Sequence, residues 1–182
     1  RDQSETLSLT SRAFYTNTLG PYLETITKMT GFEMALPMNS GAEAVETAIK
    51  SARRWAYRSK KIEPNKAEII VAEGNFHGRT TTIISFSSES NSKDDFGPHT
   101  PGFISVEFGS TKAVEDAITD NTAAVLFEPV QGEGGIIEPP QNWLSDVRNI
   151  CDKNNVLMIL DEVQSGLGRT GKLFAFEHAN IR

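Results

Sequence analysis

Cysteine is nearly missing from this 182-residue chain, where Cys151 stands alone. One thiol forms no internal disulfide, and a reducing compartment is implied. Cys151 falls on the apolar face of a predicted helix, so an inert buried thiol is expected rather than a nucleophile. Long apolar runs are missing too. None approaches the ~18 residues of a membrane span, and the first residues are too polar for a secretory signal. Positive charge is in deficit, with 18 Lys+Arg against 24 Asp+Glu and a net charge of −6. No basic cluster is denser than Arg53-Arg54 and Lys60-Lys61, which are expected on the solvated face of one helix. Nucleic acid and anionic membrane surfaces are therefore poor partners. Histidine is scarce, and no second His or Cys stands at ligand spacing from His77, so a hydrogen-bonding role is expected for it and no metal site. Internal repeats and low-complexity tracts are absent.

What is present is a strongly patterned chain, long enough for one α/β domain burying roughly 70% of its unfolded surface. Val156-Leu157-Met158-Ile159-Leu160 reads as a strand buried on both faces, the usual state of a central strand in a parallel sheet. Asp161, Glu162 and Gln164 follow directly. Ligands of open α/β sheets bind beyond the carboxyl ends of the strands, so these polar groups are expected at a site. A carboxylate placed there is costly unless it meets a positive or hydrogen-bonding partner.

Arg1 to Ser8 reads as a loose polar entry. Leu9 to Met29 has a helical period broken at Gly20-Pro21, which predicts two short helices or one interrupted one, and Phe32 to Met38 is a candidate strand. In Asn39-Ser40-Gly41-Ala42-Glu43-Ala44, Ser40 and Glu43 fit a capping box. Val45, Ala48, Ile49, Ala52, Trp55 and Ala56 then mark one buried helix face. Small residues at Gly41 and Ala42 leave the first N–H groups accessible, and the positive end of the helix suits an anion such as phosphate. An ordinary capped helix has the same signature.

Ala67 to Ala72 reads as a strand leading into Glu73-Gly74-Asn75-Phe76-His77-Gly78-Arg79-Thr80. Phe76 either caps the core or stacks on a planar ligand; Arg79 either binds a carboxylate or is solvated. Asp94 to Gly102 reads as an irregular loop, Phe103 to Phe108 as a strand, and Ser110 opens a helix. Ala123 to Phe127 is a buried strand ending at Glu128-Pro129-Val130-Gln131-Gly132-Glu133-Gly134-Gly135. Trp143, Leu144, Val147, Ile150 and Cys151 line the next helix. Strands alternating with helices predict an α/β fold with a mostly parallel central sheet flanked by helices. Three strand ends would then deliver Phe76, Glu128 and Asp161 to one edge. Gly166-Leu167-Gly168-Arg169-Thr170-Gly171 matches the dinucleotide fingerprint, which needs a helix opening at those glycines and an acidic residue about 20 positions on. Lys172 to Glu177 makes a poor helix, so this rival is disfavoured.

Leu160-Asp161-Glu162-Val163-Gln164-Ser165-Gly166-Leu167-Gly168-Arg169-Thr170-Gly171 resembles the class III, fold-type I aminotransferases that depend on pyridoxal 5′-phosphate. The stretches at Asn39 to Ala44, Asn75 to Thr80 and Glu128 to Glu133 resemble that family's other motifs, in its order, so the likeness covers nearly the whole chain. Leu36 to Ala48 and Trp55-Ala56-Tyr57 resemble the ornithine-using branch more than the acetylornithine-using one. The resemblance implies that Ser40, Gly41 and Ala42 hold the cofactor phosphate. Phe76 and Val163 would pack on the two faces of its ring, with His77 beside them. Asp161 would pair with the pyridine nitrogen and Gln164 with the phenolic oxygen. Glu128 would be a supporting carboxylate on the substrate side. Arg79 would grip the α-carboxylate of ornithine, and Glu133 would mask an arginine of a C-terminal domain until 2-oxoglutarate binds.

The implied reaction moves the δ-amino group of L-ornithine to 2-oxoglutarate, giving glutamate 5-semialdehyde and glutamate. The substrates are thus an amino acid and a 2-oxo acid, the assembly a homodimer, and the compartment a bacterial cytoplasm or a mitochondrial matrix. The family's Schiff-base lysine falls roughly thirty residues past Asp161, and no lysine here stands in its motif. Residues 1–182 are accordingly expected to form the central part of the large domain and not to turn over alone. Acetylornithine or another ω-amino acid as substrate, and a non-catalytic module binding a phosphate ligand, are the alternatives.

Overall fold

In the computed structural model, which describes residues 1–11 and 13–181, the chain divides into two compact units, Arg1–Met38 and Asn39–Arg182. The first carries two helices, α1 (Asp2–Thr6) and α2 (Leu19–Thr30). The leading residues, expected to be a loose entry, thus include a helical turn. Gly20-Pro21 does not interrupt a helix begun at Leu9; it lies in the first turn of α2. Proline is tolerated there because the first N–H groups of a helix have no intrahelical acceptor to lose. The candidate strand at 32–38 joins no sheet: among the described residues the four strands all belong to the second unit.

The second unit contains α3 (Gly41–Trp55), β1 (Glu68–Ala72), α4 (Thr81–Ile84), α5 (Ser90–Lys93), β2 (Phe103–Val106), α6 (Thr111–Ala117), β3 (Thr122–Phe127), α7 (Trp143–Asn154) and β4 (Leu157–Leu160). The sheet order is β2-β1-β3-β4, and every pairing is parallel. Strand side chains alternate between faces, and here both faces are covered. Ile69, Val71, Ala124 and Leu126 pack with Val45, Ile49 and Ala52 of α3 and with Ile83 and Phe86. Ile70, Ala72, Val125 and Phe127 pack on the other face with Val114 of α6 and Trp143, Val147, Ile150 and Cys151 of α7. Two buried faces explain why these strands read as continuous apolar runs rather than as alternation. Burial also pushes the Cys151 thiol up to about 11, which removes it as a nucleophile at neutral pH.

Two expectations need correcting. Val156 to Leu160 reads as a central strand buried on both faces; both faces of β4 do pack, Leu157 and Ile159 on the α3 side and Met158 and Leu160 on the α7 side, but its residues are half-buried because only β3 flanks it among the described residues. The basic pairs are not simply solvated. Arg53 Nη2 donates to the Pro101 carbonyl at 2.7 Å, and Lys60 Nζ donates to the carbonyls of Thr122 (2.7 Å) and Asn154 (3.2 Å). Their long stems lie along the protein while the heads reach backbone oxygens. Partial burial lowers the Lys60 amine's pKa, against an upward pull from Asp120.

The start of α3 forms nearly as its sequence predicts. Ser40 Oγ accepts the Glu43 N–H at 3.2 Å, while the Glu43 carboxylate takes the N–H of Asn39, at 2.8 Å, rather than that of Ser40. The reciprocal bond thus falls one residue earlier than a standard capping box would place it.

Candidate active site

Period two along the strands decides where the acidic groups go. Leu157 and Ile159 of β4 face α3, so Asp161 continues on that face; Ala124 and Leu126 of β3 do the same for Glu128. The Asp161 N–H donates to the Phe127 carbonyl at 2.8 Å, prolonging the ladder by one step. Its carboxylate is 7% exposed. Oδ2 lies 2.7 Å from Nδ1 of the fully buried His77, and Oδ1 accepts the Val163 N–H at 3.0 Å. A carboxylate only accepts, so Nδ1 carries the proton of that bond. His77 Nε2 is then a buried atom without a hydrogen-bond partner, with the Phe86 ring 6.0 Å from the imidazole between centroids. Among the described residues His77 is the sole ion-pair partner of Asp161, so no lysine or arginine neutralises this buried charge.

Glu128 is 4% exposed. Its Oε2 accepts the Phe76 N–H at 3.0 Å and its Oε1 the Gly132 N–H at 3.3 Å. Burial raises its pKa above the ordinary carboxylate value; the two N–H groups and His77 pull it down, and the Asp161 charge pushes it up. The folded state therefore holds this proton more tightly than the unfolded chain does. The carboxyl contributes most below its ordinary pKa and loses that contribution as pH rises through the raised folded value. Urea unfolding of parent and Glu128→Gln across this window should show the parent's advantage shrinking as pH increases. An advantage that stays level or grows would contradict the burial effect.

The pocket at this edge is lined by Gly41, Ala42, Phe76, His77, Gly78, Glu128, Asp161, Val163 and Gln164. Eight of these nine are sequence-predicted site residues; Gly78 is the ninth. Ser40 caps the helix whose first two residues form one wall. Gly41 is needed there for close approach, since a Cβ on it would come within 3.0 Å of Val163 Cγ2. Gln164 lies with its amide against Gly132, and its Nε2 is 3.4 Å from Glu133 Oε1. Arg79 and Glu133 are exposed and outside the lining; the Arg79 guanidinium stands 5.6 Å from the Phe76 ring centre. Sequence reading passed over Gln131 and Asn75, both buried, which brace the Phe76 loop. Buried amides have no periodic signature, and the polar composition of their loops was the one available hint.

No α-helix opens at the Gly166 to Gly171 motif. The segment is a run of turns held by Glu162, whose carboxylate accepts from Ser165 Oγ (2.6 Å) and from the N–H groups of Ala175 (3.0 Å) and Phe176 (2.9 Å). The dinucleotide reading fails for lack of a helix terminus to receive a pyrophosphate.

A parallel α/β sheet whose strand ends bring a buried carboxylate, an aromatic side chain and a helix start to one pocket places a candidate ligand site where such folds usually carry one. The sequence matches the family of class-III aminotransferases over residues 1–182, and the chain belongs to that family. It is 54% identical over 181 residues to an ornithine aminotransferase of Brevibacillus brevis, matching all of this chain and 45% of that protein. A Toxoplasma gondii ornithine aminotransferase, described with partial occupancy of pyridoxal phosphate at its active site, superposes with a TM-score of 0.97 at 43% identity. That match covers 99% of this chain and 43% of the other. An acetylornithine aminotransferase of Elizabethkingia anophelis superposes with a TM-score of 0.84 at 50% identity, covering 100% and 44%. The chain thus spans under half the length of these relatives.

Proposed function

We propose that the full-length protein transfers the δ-amino group of L-ornithine to 2-oxoglutarate with pyridoxal phosphate as cofactor, giving glutamate 5-semialdehyde and glutamate. The observation that carries this reading is the buried Asp161 carboxylate, unpaired with any lysine or arginine, at a pocket whose lining includes Phe76, Val163 and the start of α3. Two hydrogen-bond donors meet this charge but no lysine or arginine does, and a protonated pyridine nitrogen would supply a full positive charge beside it.

The residues fit the cofactor. Ser40 Oγ and the N–H groups of Gly41 and Ala42, which have no intrahelical acceptor, would hold its phosphate. Phe76 and Val163 would cover the two ring faces, and Gln164 would bond the phenolic oxygen. When bound, the cofactor supplies an electron-withdrawing ring that accepts charge as an amino group leaves one substrate and joins another. Asp161 holds the proton on the ring nitrogen, and His77 fixes the carboxylate's orientation through the 2.7 Å bond. Arg79, exposed beside Phe76, would take the substrate α-carboxylate with its planar fork. Glu133 would pair with an arginine from outside this chain. The pocket lining contains no lysine, so covalent attachment of the cofactor is assigned to a residue outside 1–182. A homodimer of the full-length protein completes the proposal.

The test is kcat/KM of the full-length protein for ornithine and for N-acetylornithine, with 2-oxoglutarate as acceptor. Ornithine should be preferred. A strong preference for the acetylated substrate overturns the choice of branch, and pyridoxal phosphate binding without any turnover leaves a binding module instead.

A further inference from the structure

Gln131 is 2% exposed and lies outside the pocket lining, yet its side chain crosses from the loop after β3 to the loop after β1. Its Nε2 donates to the Glu73 carbonyl at 2.7 Å. Its Oε1 sits so close to Gly74 and Gly134 that a Cβ on either would come within 3.2 or 3.3 Å of it. Three residues beyond Glu73, the Phe76 N–H is taken by Glu128. One short loop, Glu128 to Gly134, therefore grips the other at two points that bracket Gly74 and Asn75. The bracketed residues are held as well: the Gly74 N–H donates to Ser88 Oγ at 2.8 Å, and Asn75 Nδ2 donates to the Ala72 and Phe86 carbonyls. Gln131 belongs to none of the hydrophobic clusters that build the sheet's two faces. A buried amide is retained where its hydrogen bonds fix a geometry that apolar packing would leave free.

We propose that Gln131 is a positioning residue for Phe76: by holding the Glu73 carbonyl it sets the loop that carries the pocket's aromatic wall, and hence how tightly the pocket grips a planar ring. This rests on the pyridoxal phosphate reading above, and it concerns cofactor binding rather than turnover.

The experiment uses full-length protein stripped of cofactor and titrated with pyridoxal phosphate, following both the Kd and the circular dichroism of the bound chromophore. Gln131→Met keeps the volume and removes the donor. Its Kd should rise up to about tenfold, the scale of one lost part-buried hydrogen bond, and the chromophore's dichroic signal should fall. Val147→Ala, on the opposite face of the sheet, is the stability control. It should lower the melting temperature while leaving Kd and dichroism at the parent's values. In Gln131→Glu the donor exists only while the carboxyl is protonated, so its Kd relative to the parent should fall toward one as the pH is lowered through that carboxyl's titration. This variant also keeps the test open if Gln131→Met does not fold. Parental Kd and dichroism in Gln131→Met, an equal Kd rise in Val147→Ala, or a Gln131→Glu ratio independent of pH each overturns the proposal alone. A parent that does not bind pyridoxal phosphate overturns it together with the function it rests on.

Discussion

Asp161→Asn in the full-length protein is expected to lower kcat/KM by about 10²–10³-fold, the scale of losing one preorganised electrostatic group in a site. Asparagine keeps the outline of the side chain, and its Oδ1 can still accept the Val163 N–H, while its amide nitrogen donates to a His77 Nδ1 that has given up its proton in the other ring tautomer. What disappears is the negative charge. A neutral amide would not hold a proton on the ring nitrogen proposed to face it, so the loss should fall on kcat more than on substrate KM. The variant's cofactor absorbance should also shift with pH in a range where the parent's is constant. A variant within threefold of the parent would remove Asp161 from the role proposed for it.

Gly78→Ala is expected to be strongly destabilising. Gly78 has φ +123°, which an L side chain rarely adopts, and a Cβ there would lie 2.8 Å from Ala42 Cβ and 3.3 Å from Ala42 Cα. Ala42 belongs to the first turn of α3 and is fixed by the backbone of a 15-residue helix, so it cannot swing aside. Backbone strain and overpacking each cost about 1–3 kcal/mol, so a loss of roughly 2–6 kcal/mol is expected from urea midpoints. The contact joins the helix start to the His77 loop, so affinity for pyridoxal phosphate should fall in the same variant. Parental stability would mean that the loop relaxes away from α3 at no cost.

The parts of this site that were legible in the sequence are those with a local cause. Ser40 announces its helix because a hydroxyl three residues before an acidic group solves the problem of free N–H groups within one turn. Asp161 stood out because a carboxylate directly after an apolar run has to be explained. The placement of Phe76, Glu128 and Asp161 at one edge followed from strands alternating with helices, and the structure brings all three into one pocket. Long-range causes were not legible. The edge position of β4 depends on what flanks it, which no local pattern encodes. Lys60 reaches carbonyls 62 and 94 residues away, so its sequence neighbours gave no sign that it was engaged. Proline at position 21 pointed to a break because its tolerance depends on where the helix begins, and Thr18 is a weak start signal. Gln131 and Asn75 belong to the same class: each donates to backbone carbonyls, and a backbone partner has no side-chain identity for a sequence pattern to reveal.

The sheet order has a metrical consequence. The Phe76 loop leaves β1 and Asp161 leaves β4, and these strands lie on opposite flanks of β3. Their roots are therefore separated by two ladder steps, roughly 10 Å at ~4.8 Å per step. Peptide hydrogen bonding makes that interval a ruler, and no side-chain substitution stretches it. Whatever this edge accommodates has been gauged against the spacing of main chains.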